Sequence, residues 1–371
     1  MGLGVPSDGL APTPPMGWNS WNRFGPFISE KLVLETADAL VESGMRDAGY
    51  RYVVIDDAWE ESLRDEDGEL RENRWAFPHG MRWLSDEIHR RGLRFGLYTC
   101  AGTHTCQGYP ASHGCEARDA RRFAGWGVDF MKVDWCHTRD LGLDGPATYA
   151  TWSEAIRGCG RPMVFSICEW GRHRPWEWAP SLGHMWRTGP DILDTWPSLM
   201  DTLDRQAALA AFAGPDHWND PDMLEVGNGG MSDDEYRTHF SLWAMLAAPL
   251  MAGNDVRAMS DATRAILTAP EVIAIDQDPL GRQGTRVRKD ADAEVWSRQL
   301  ADGSRAVLLL ARGSAPQRIG ITWRALGLEP GSRIVRDVWE RADVARDDEG
   351  LELEIAPHGA ALVTLRTNTP A

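Results

Sequence analysis

The sequence predicts an α/β fold, a (β/α)8 TIM barrel followed by a C-terminal antiparallel β-sandwich domain, and three observations carry that prediction. From residue 15 a short apolar stretch, a polar or aromatic cluster and a helical stretch recur eight times over about 265 residues, against ~250 in a typical barrel of this kind. The acidic and aromatic clusters fall at the ends of the apolar stretches, which in this fold share one rim. After Pro279-Leu280-Gly281 the pattern turns to period two between Gly, Asp and Pro turns, as in antiparallel strands. The domains are therefore expected at 1–281 and 282–371.

In order, the first strand is expected around Met16–Trp18, running into Asn19, Ser20 and Trp21. A helix should follow from Ser29, with Leu32, Leu34, Ala37, Leu40 and Val41 on one stripe. Arg51–Ile55 is a β-branched strand ending in Asp56-Asp57, and 61–74 is a charged, Gly-containing loop. The helix Met81–Arg91 is stopped by Gly92. Arg94–Tyr98 is the third strand, and a long loop to Cys115 leads to the helix Ala117–Trp126. Phe130–Val133 is the fourth strand and delivers Asp134. Helix Thr148–Arg157, strand Met163–Ile167 and a short strand His184–Trp186 follow, the last two ending in Cys168-Glu169-Trp170 and Arg187. Helix Leu199–Phe212, a strand near Asp216–Trp218, a capping box Ser232-Asp-Asp-Glu235, an eighth strand at Leu250–Met251 and a last helix Ala262–Ala274 complete the barrel. Seven strands are expected beyond it: Thr285–Arg288, Ala293–Arg298, Arg305–Ala311, Gln317–Ile321, Arg333–Val338, Leu351–Ile355 and Ala360–Leu365.

A formal net charge of −16 disfavours nucleic acid or an anionic membrane as partner. The longest apolar run, Leu242–Gly253, is too short to span a bilayer and is interrupted by Pro249. The opening MGLGVPSDGLAPTPP has no charged region followed by an apolar one, so no signal peptide is visible. A soluble chain is expected, cytoplasmic or numbered after processing; no motif specifies an oligomeric state. Tryptophan is the outlier, with 18 copies; about half are expected in the core, and the rest could offer flat faces to sugar rings. The six cysteines lie between Cys100 and Cys168 without the C-x2-C or H-x3-H pairs of closed zinc sites, which favours local disulfides and buried thiols.

The strand-end acids are Asp56, Asp57, Asp134, Glu169, Asp191, Asp220 and Asp222. For any one of them alone, capping or a surface ion pair is an equal account. Seven on one rim, beside Trp18, Tyr98, Trp135 and Trp170, point to sugar chemistry. Cleaving a glycoside takes two carboxyls, one to donate a proton and one to attack or activate water. Asp134 is the expected nucleophile, because Lys132 two residues earlier lies on the same strand face and an ammonium favours the ionised carboxylate. Asp191, from a different strand end, is the expected proton donor. The acids are spread over separate strands, unlike the grouped ligands of magnesium or calcium loops, so neither metal nor cofactor is expected.

The segments PPMGWNSWNRF, YVVIDDAW, GLYTCAGTHTC, FAGWGVDFMKVDWC, ICEWG, WRTGPDI, WNDPDML and LAAPLMAGND run in order from residue 14 to 255, with DQDPLG at 276–281. Together they resemble the α-galactosidases of glycoside hydrolase family 27. The resemblance implies a retaining double displacement with Asp134 as nucleophile and Asp191 as acid/base. It implies a galactose subsite of Trp18, Asp56, Asp57, Tyr98, Lys132, Cys168, Glu169, Trp170, Arg187 and Asp222, and a disulfide between Cys106 and Cys136. The paired Asp56 and Asp57 would read the 4- and 6-hydroxyls, favouring galactose over arabinopyranose, and Glu169 would favour a 2-hydroxyl over an N-acetyl group. The implied partner is a terminal α-galactoside. The alternatives are a β-L-arabinopyranosidase or α-N-acetylgalactosaminidase on the same site, or a silent galactose-binding protein. Trp135 stands where many members carry Asn or Gly, and Cys100 where many carry Asp; both are expected beside the pocket.

Overall fold

A computed structural model describes residues 8–329, 331 and 333–367; residues 1–7, which begin the segment searched above for a signal peptide, lie outside them. Eight parallel strands form one curled sheet: β1 (Met16–Asn19), β2 (Tyr52–Ile55), β3 (Arg94–Cys100), β4 (Phe130–Asp134), β5 (Val164–Cys168), β6 (Met185–Arg187), β7 (Trp218–Asp220) and β8 (Leu250–Ala252). Each pairs with its sequence neighbour, and β8 returns to pair with β1. The ring closes where Leu224, just past β7, bridges to Ala252 of β8. Each strand was expected within a few residues of its place, and the barrel is present.

The helices between strands form for local reasons. Ser29 caps Glu30–Glu42 by accepting from Leu32 N, and the box of Ser232 and Glu235 caps Asp233–Leu246. Gly127, at φ 85°, ends Glu116–Trp126 in the left-handed conformation that glycine adopts without strain. The last helix is a correction. Two helices, Asp261–Leu267 and Pro270–Asp276, replace the single Ala262–Ala274, because Pro270 lacks an N–H and keeps Ala269 extended at ψ 106°.

Beyond the barrel lie eight antiparallel strands: β9 (Thr285–Asp290), β10 (Ala293–Gln299), β11 (Arg305–Ala311), β12 (Gln317–Thr322), β13 (Arg333–Asp337), β14 (Ala342–Asp347), β15 (Gly350–Ile355) and β16 (Ala360–Thr367). Six form a sheet ordered β14-β13-β16-β11-β10-β9, and β12 with β15 form the second layer of the sandwich. Sequence periodicity missed β14. It is an edge strand whose first residues, Ala342, Asp343 and Val344, are exposed and leave no long apolar alternation to reveal it.

The sandwich has its own core around Val307, Leu309, Ile319 and Val363. A second face, with Trp296 and Leu308, joins the barrel core across the helix Asp233–Leu246. The join is polar as well. Asp204 of the helix Trp196–Gln206 takes Arg286, Lys289 and Arg312 from the sandwich, and the buried Arg298 donates to the carbonyls of Ala244 and Asp276. No helix among the described residues is long and apolar enough to cross a membrane.

Candidate active site

Strand register builds the floor of a cleft at the C-terminal rim. Lys132 on β4 sits level with Tyr98 on β3, and two residues on Asp134 sits between Cys100 and Cys168. A small cleft opens above them at the rim. Its wall includes Asp56, Asp57, Tyr98, Lys132, Asp134, Cys168, Trp170, Arg187, Asp191 and Asp222, so ten of the predicted site residues converge there. A larger cavity, about 390 Å³, lies at the opposite end of the barrel beside His184 and Asp216. It holds none of the strand-end carboxyls predicted above for the site, and in this fold chemistry belongs to the strand C-termini.

Two predicted residues are elsewhere. Trp18 is 0% exposed, its indole N–H donating to Asn254 O at 2.9 Å inside the barrel. The cleft wall is instead made by Trp21 and Asn22, which stand past the end of β1. Trp18 lies within β1 and packs inward, whereas Trp21 and Asn22 open the short helix that follows the strand. Glu169 is also 0% exposed and is not among the residues lining the cleft. Its Oε2 accepts from the backbone N–H of His173 at 2.8 Å and lies 2.6 Å from that ring's Nδ1. Met223 completes the wall and was missed, having no charge to mark it. Trp135, expected beside the pocket, is buried behind it, stacked on Tyr149 at 5.4 Å and edge-on to His173. Only its backbone serves the site, donating to Asp134 Oδ1 at 2.8 Å.

Asp134 is fully boxed in. Its Oδ2 accepts from the Tyr98 hydroxyl at 3.0 Å. Lys132 pairs with Asp56 at 2.7 Å rather than with Asp134, and Asn19 donates to the same Asp56 oxygen, Oδ2. Burial therefore dominates at Asp134 and pushes its carboxyl up to about 6, although the Lys132 charge, the Trp135 N–H and the Tyr98 hydroxyl all oppose the rise. Lys132 does favour the ionised Asp134, as expected, but burial outweighs it. Across the cleft Asp191 is at the mouth, its side chain 61% exposed. What burial it has raises its carboxyl, but the charges of Arg187 and Lys132 outweigh that and hold it below 3.8. Arg187 itself is buried, bridging Asp191 at 3.0 Å and Asp222 at 2.9 Å.

Backbone strain collects on the same rim. Ala58, His137, Trp170 and Asp222 take φ values of 75°, 53°, 57° and 118°, each just past a barrel strand. Such conformations cost of order 1–3 kcal/mol each and persist where surroundings fix them, commonly at functional sites. Cys106 and Cys136 are joined in a disulfide that ties the loop after β3 to the loop after β4. The loops pass so close that a Cβ on Gly102 would lie 2.1 Å from Cys136 O. From the tied loop Gln107 N donates to Asp57 Oδ2 at 2.9 Å, so the tether also holds a wall carboxylate. Among the described residues Cys106, Asp134 and Cys136 are the one group close enough to share a metal ion, and the disulfide withholds the thiolates that would bind it.

An eight-stranded barrel whose rim gathers buried carboxyls and the exposed Asp191 around one cleft is the arrangement of a glycoside hydrolase. The comparisons agree. The profile of the family described as Alpha galactosidase A matches residues 13–278, and that of the Alpha galactosidase C-terminal beta sandwich domain matches 290–365. The chain is 45% identical over 360 residues to an α-galactosidase of Cyamopsis tetragonoloba, covering 96% of this chain and 87% of that one. It superposes on α-galactosidase I from Mortierella vinacea with a TM-score of 0.94 at 35% identity, over 97% of this chain and 98% of the other. A Saccharomyces cerevisiae α-galactosidase solved with raffinose gives 0.92 at 30%, again over 97% and 98%. The chain belongs to the α-galactosidase A family.

Proposed function

We propose that this protein is an exo-acting α-galactosidase that removes terminal α-linked galactose by a retaining double displacement, with Asp134 as nucleophile and Asp191 as acid/base. The observation that carries the reading is the pair of unlike carboxyls facing one cleft: Asp134 buried and held by Tyr98 and Trp135 N–H, Asp191 at the open mouth on Arg187. We read exo action from the site's confinement to one small cleft on the rim, which suits a single terminal ring. We assign catalysis to residues 1–281 and a buttressing role to 282–371, whose core continues that of the barrel.

The steps balance as follows. Asp134 attacks the anomeric carbon, the bond to the leaving oxygen breaks, and Asp191 gives that oxygen its proton. A sugar over Asp191 strips solvent from a side chain that is otherwise 61% exposed, which raises its carboxyl and loads the proton. Having given up its proton, Asp191 is left ionised, and with the charge of Asp134 gone on esterification it stays so and serves as the base that takes a proton from water. That water attacks the anomeric carbon, Asp134 leaves, and galactose departs with its original configuration. Asp56 and Asp57 retain unused lone pairs for hydroxyls despite their backbone and side-chain donors.

The test is the anomer released first from 4-nitrophenyl α-galactoside, followed by proton NMR. α-Galactose is expected. First-formed β-galactose overturns the double displacement, and turnover confined to the β-L-arabinopyranoside or the α-N-acetylgalactosaminide overturns the sugar.

A further inference from the structure

We infer that Glu225 is a positioning residue that locks the amide of Asn22 with its Oδ1 toward the cleft, making Asn22 a hydroxyl acceptor for the bound sugar. This rests on the reading of the cleft as a sugar subsite. Asn22 lies in the cleft wall, on the short helix Trp21–Phe24 that follows β1. Its Nδ2 donates to Glu225 Oε1 at 2.5 Å, and Asn228 Nδ2 donates to the other oxygen, Oε2, at 2.6 Å. Glu225 is 4% exposed and forms no ion pair among the described residues, so its two oxygens are given to two amides. An ionised carboxylate only accepts. It therefore admits the NH2 side of each amide and excludes the carbonyl side, which fixes the orientation of Asn22 by chemistry.

The surroundings leave the amide no other pose. Glu225 is anchored through its own N–H to Nε2 of the buried His239 at 3.1 Å. Gly253, just past β8, passes so close that a Cβ there would lie 3.1 Å from Asn22 Cβ. With Nδ2 committed, Asn22 Oδ1 accepts no hydrogen bond among the described residues. Burial pushes the Glu225 carboxyl up to about 7, so the lock is complete above that pH, where both oxygens only accept.

The experiment measures the inhibition constant of free galactose, with kcat and KM on 4-nitrophenyl α-galactoside, for wild type, Asn22→Ala, Asn22→Asp, Glu225→Gln and the Asn22→Ala/Glu225→Gln pair. Loss of one neutral hydrogen bond predicts a rise of roughly five- to tenfold in KM and in the galactose constant for Asn22→Ala, with the loss in KM rather than kcat. Glu225→Gln presents an NH2 to one of the two amides, and should raise the galactose constant comparably. The pair should be no worse than Asn22→Ala alone, because both changes remove one contact. Asn22→Asp keeps the acceptor but cannot donate to Glu225, so it too should lose affinity, and this comparison stands if Glu225→Gln fails to fold. An unchanged galactose constant in Asn22→Ala, wild-type affinity in Asn22→Asp, or additive losses in the pair would overturn the inference. Failure of the galactoside reading shows separately, as absence of wild-type turnover; the constants are then compared for the monosaccharide the wild type does release.

Discussion

Tyr98→Phe removes one atom from the site and tests how Asp134 is tuned. The phenol donates to Asp134 Oδ2 at 3.0 Å, and among the described residues the other donor on that carboxylate is Trp135 N–H on Oδ1. Raising Asp134 from 3.8 to about 6 already costs its ionised form about 3 kcal/mol, at ~1.36 kcal/mol per pH unit. A hydrogen bond to a charged group contributes about 1.5–3 kcal/mol, so its loss should lift the carboxyl by a further one to two pH units, to roughly 7–8. The clean assay uses an Asp191→Ala background and 4-nitrophenyl α-galactoside, whose leaving group needs little help from an acid. There kcat/KM should show a single acid limb near the Asp134 value of about 6, moving to roughly 7–8 when Tyr98→Phe is added. The stability sign follows: a carboxyl raised on folding contributes most below pH 3.8, and that contribution is lost as pH rises through 6. Tyr98→Phe should extend the loss to higher pH. An acid limb that stays in place refutes the claim that this hydroxyl supports the ionised nucleophile.

Two other perturbations have outcomes set by the geometry. Replacing Cys106 and Cys136 by Ser opens a loop closed over 30 residues, for which chain entropy gives about 3–4 kcal/mol of lost stability in denaturant unfolding. kcat/KM should fall as well, because Gln107 holds Asp57 from the same loop. At the domain join, partial burial raises Asp204, but hydrogen bonds from Arg312, Lys289 and Arg286 outweigh it and hold the carboxyl well below 3.8. Its stabilisation is therefore present above pH 3.8 and lost as pH falls further. Asp204→Asn should lower the melting temperature at pH 7 and flatten its decline in acid; an unchanged acid profile would remove Asp204 from the join.

The barrel was legible because eight apolar stretches each end in a polar cluster, and a parallel sheet buried on both faces leaves that trace. Strand ends offered more candidates than the cleft uses, and the resemblance named the ten that converge on it. What failed was the side-chain level. Trp18 and Trp21 are three residues apart in WNSW, and only the end of β1 at Asn19 decides which faces the cleft. Lys132 and Asp134 do share a strand face, but a face does not name a partner, and Asp56 of the neighbouring strand took the ammonium. The tryptophan excess also read two ways: Trp18, Trp59, Trp152, Trp186, Trp218, Trp243, Trp296 and Trp323 are fully buried, while Trp21 and Trp170 line the cleft. Asn22 carried no signal in sequence, since its meaning depends on Glu225 arriving from beyond β7.

The most direct measurement of the assigned roles is the product formed when azide rescues Asp134→Gly and Asp191→Gly on an activated α-galactoside. With Asp134 removed, azide attacks from the face the carboxylate vacated and should give β-galactosyl azide. With Asp191 removed, azide meets the ester on Asp134 from the opposite face and should give the α-azide. The reverse assignment of anomers, or no azide product from either variant, would contradict Asp134 as the nucleophile.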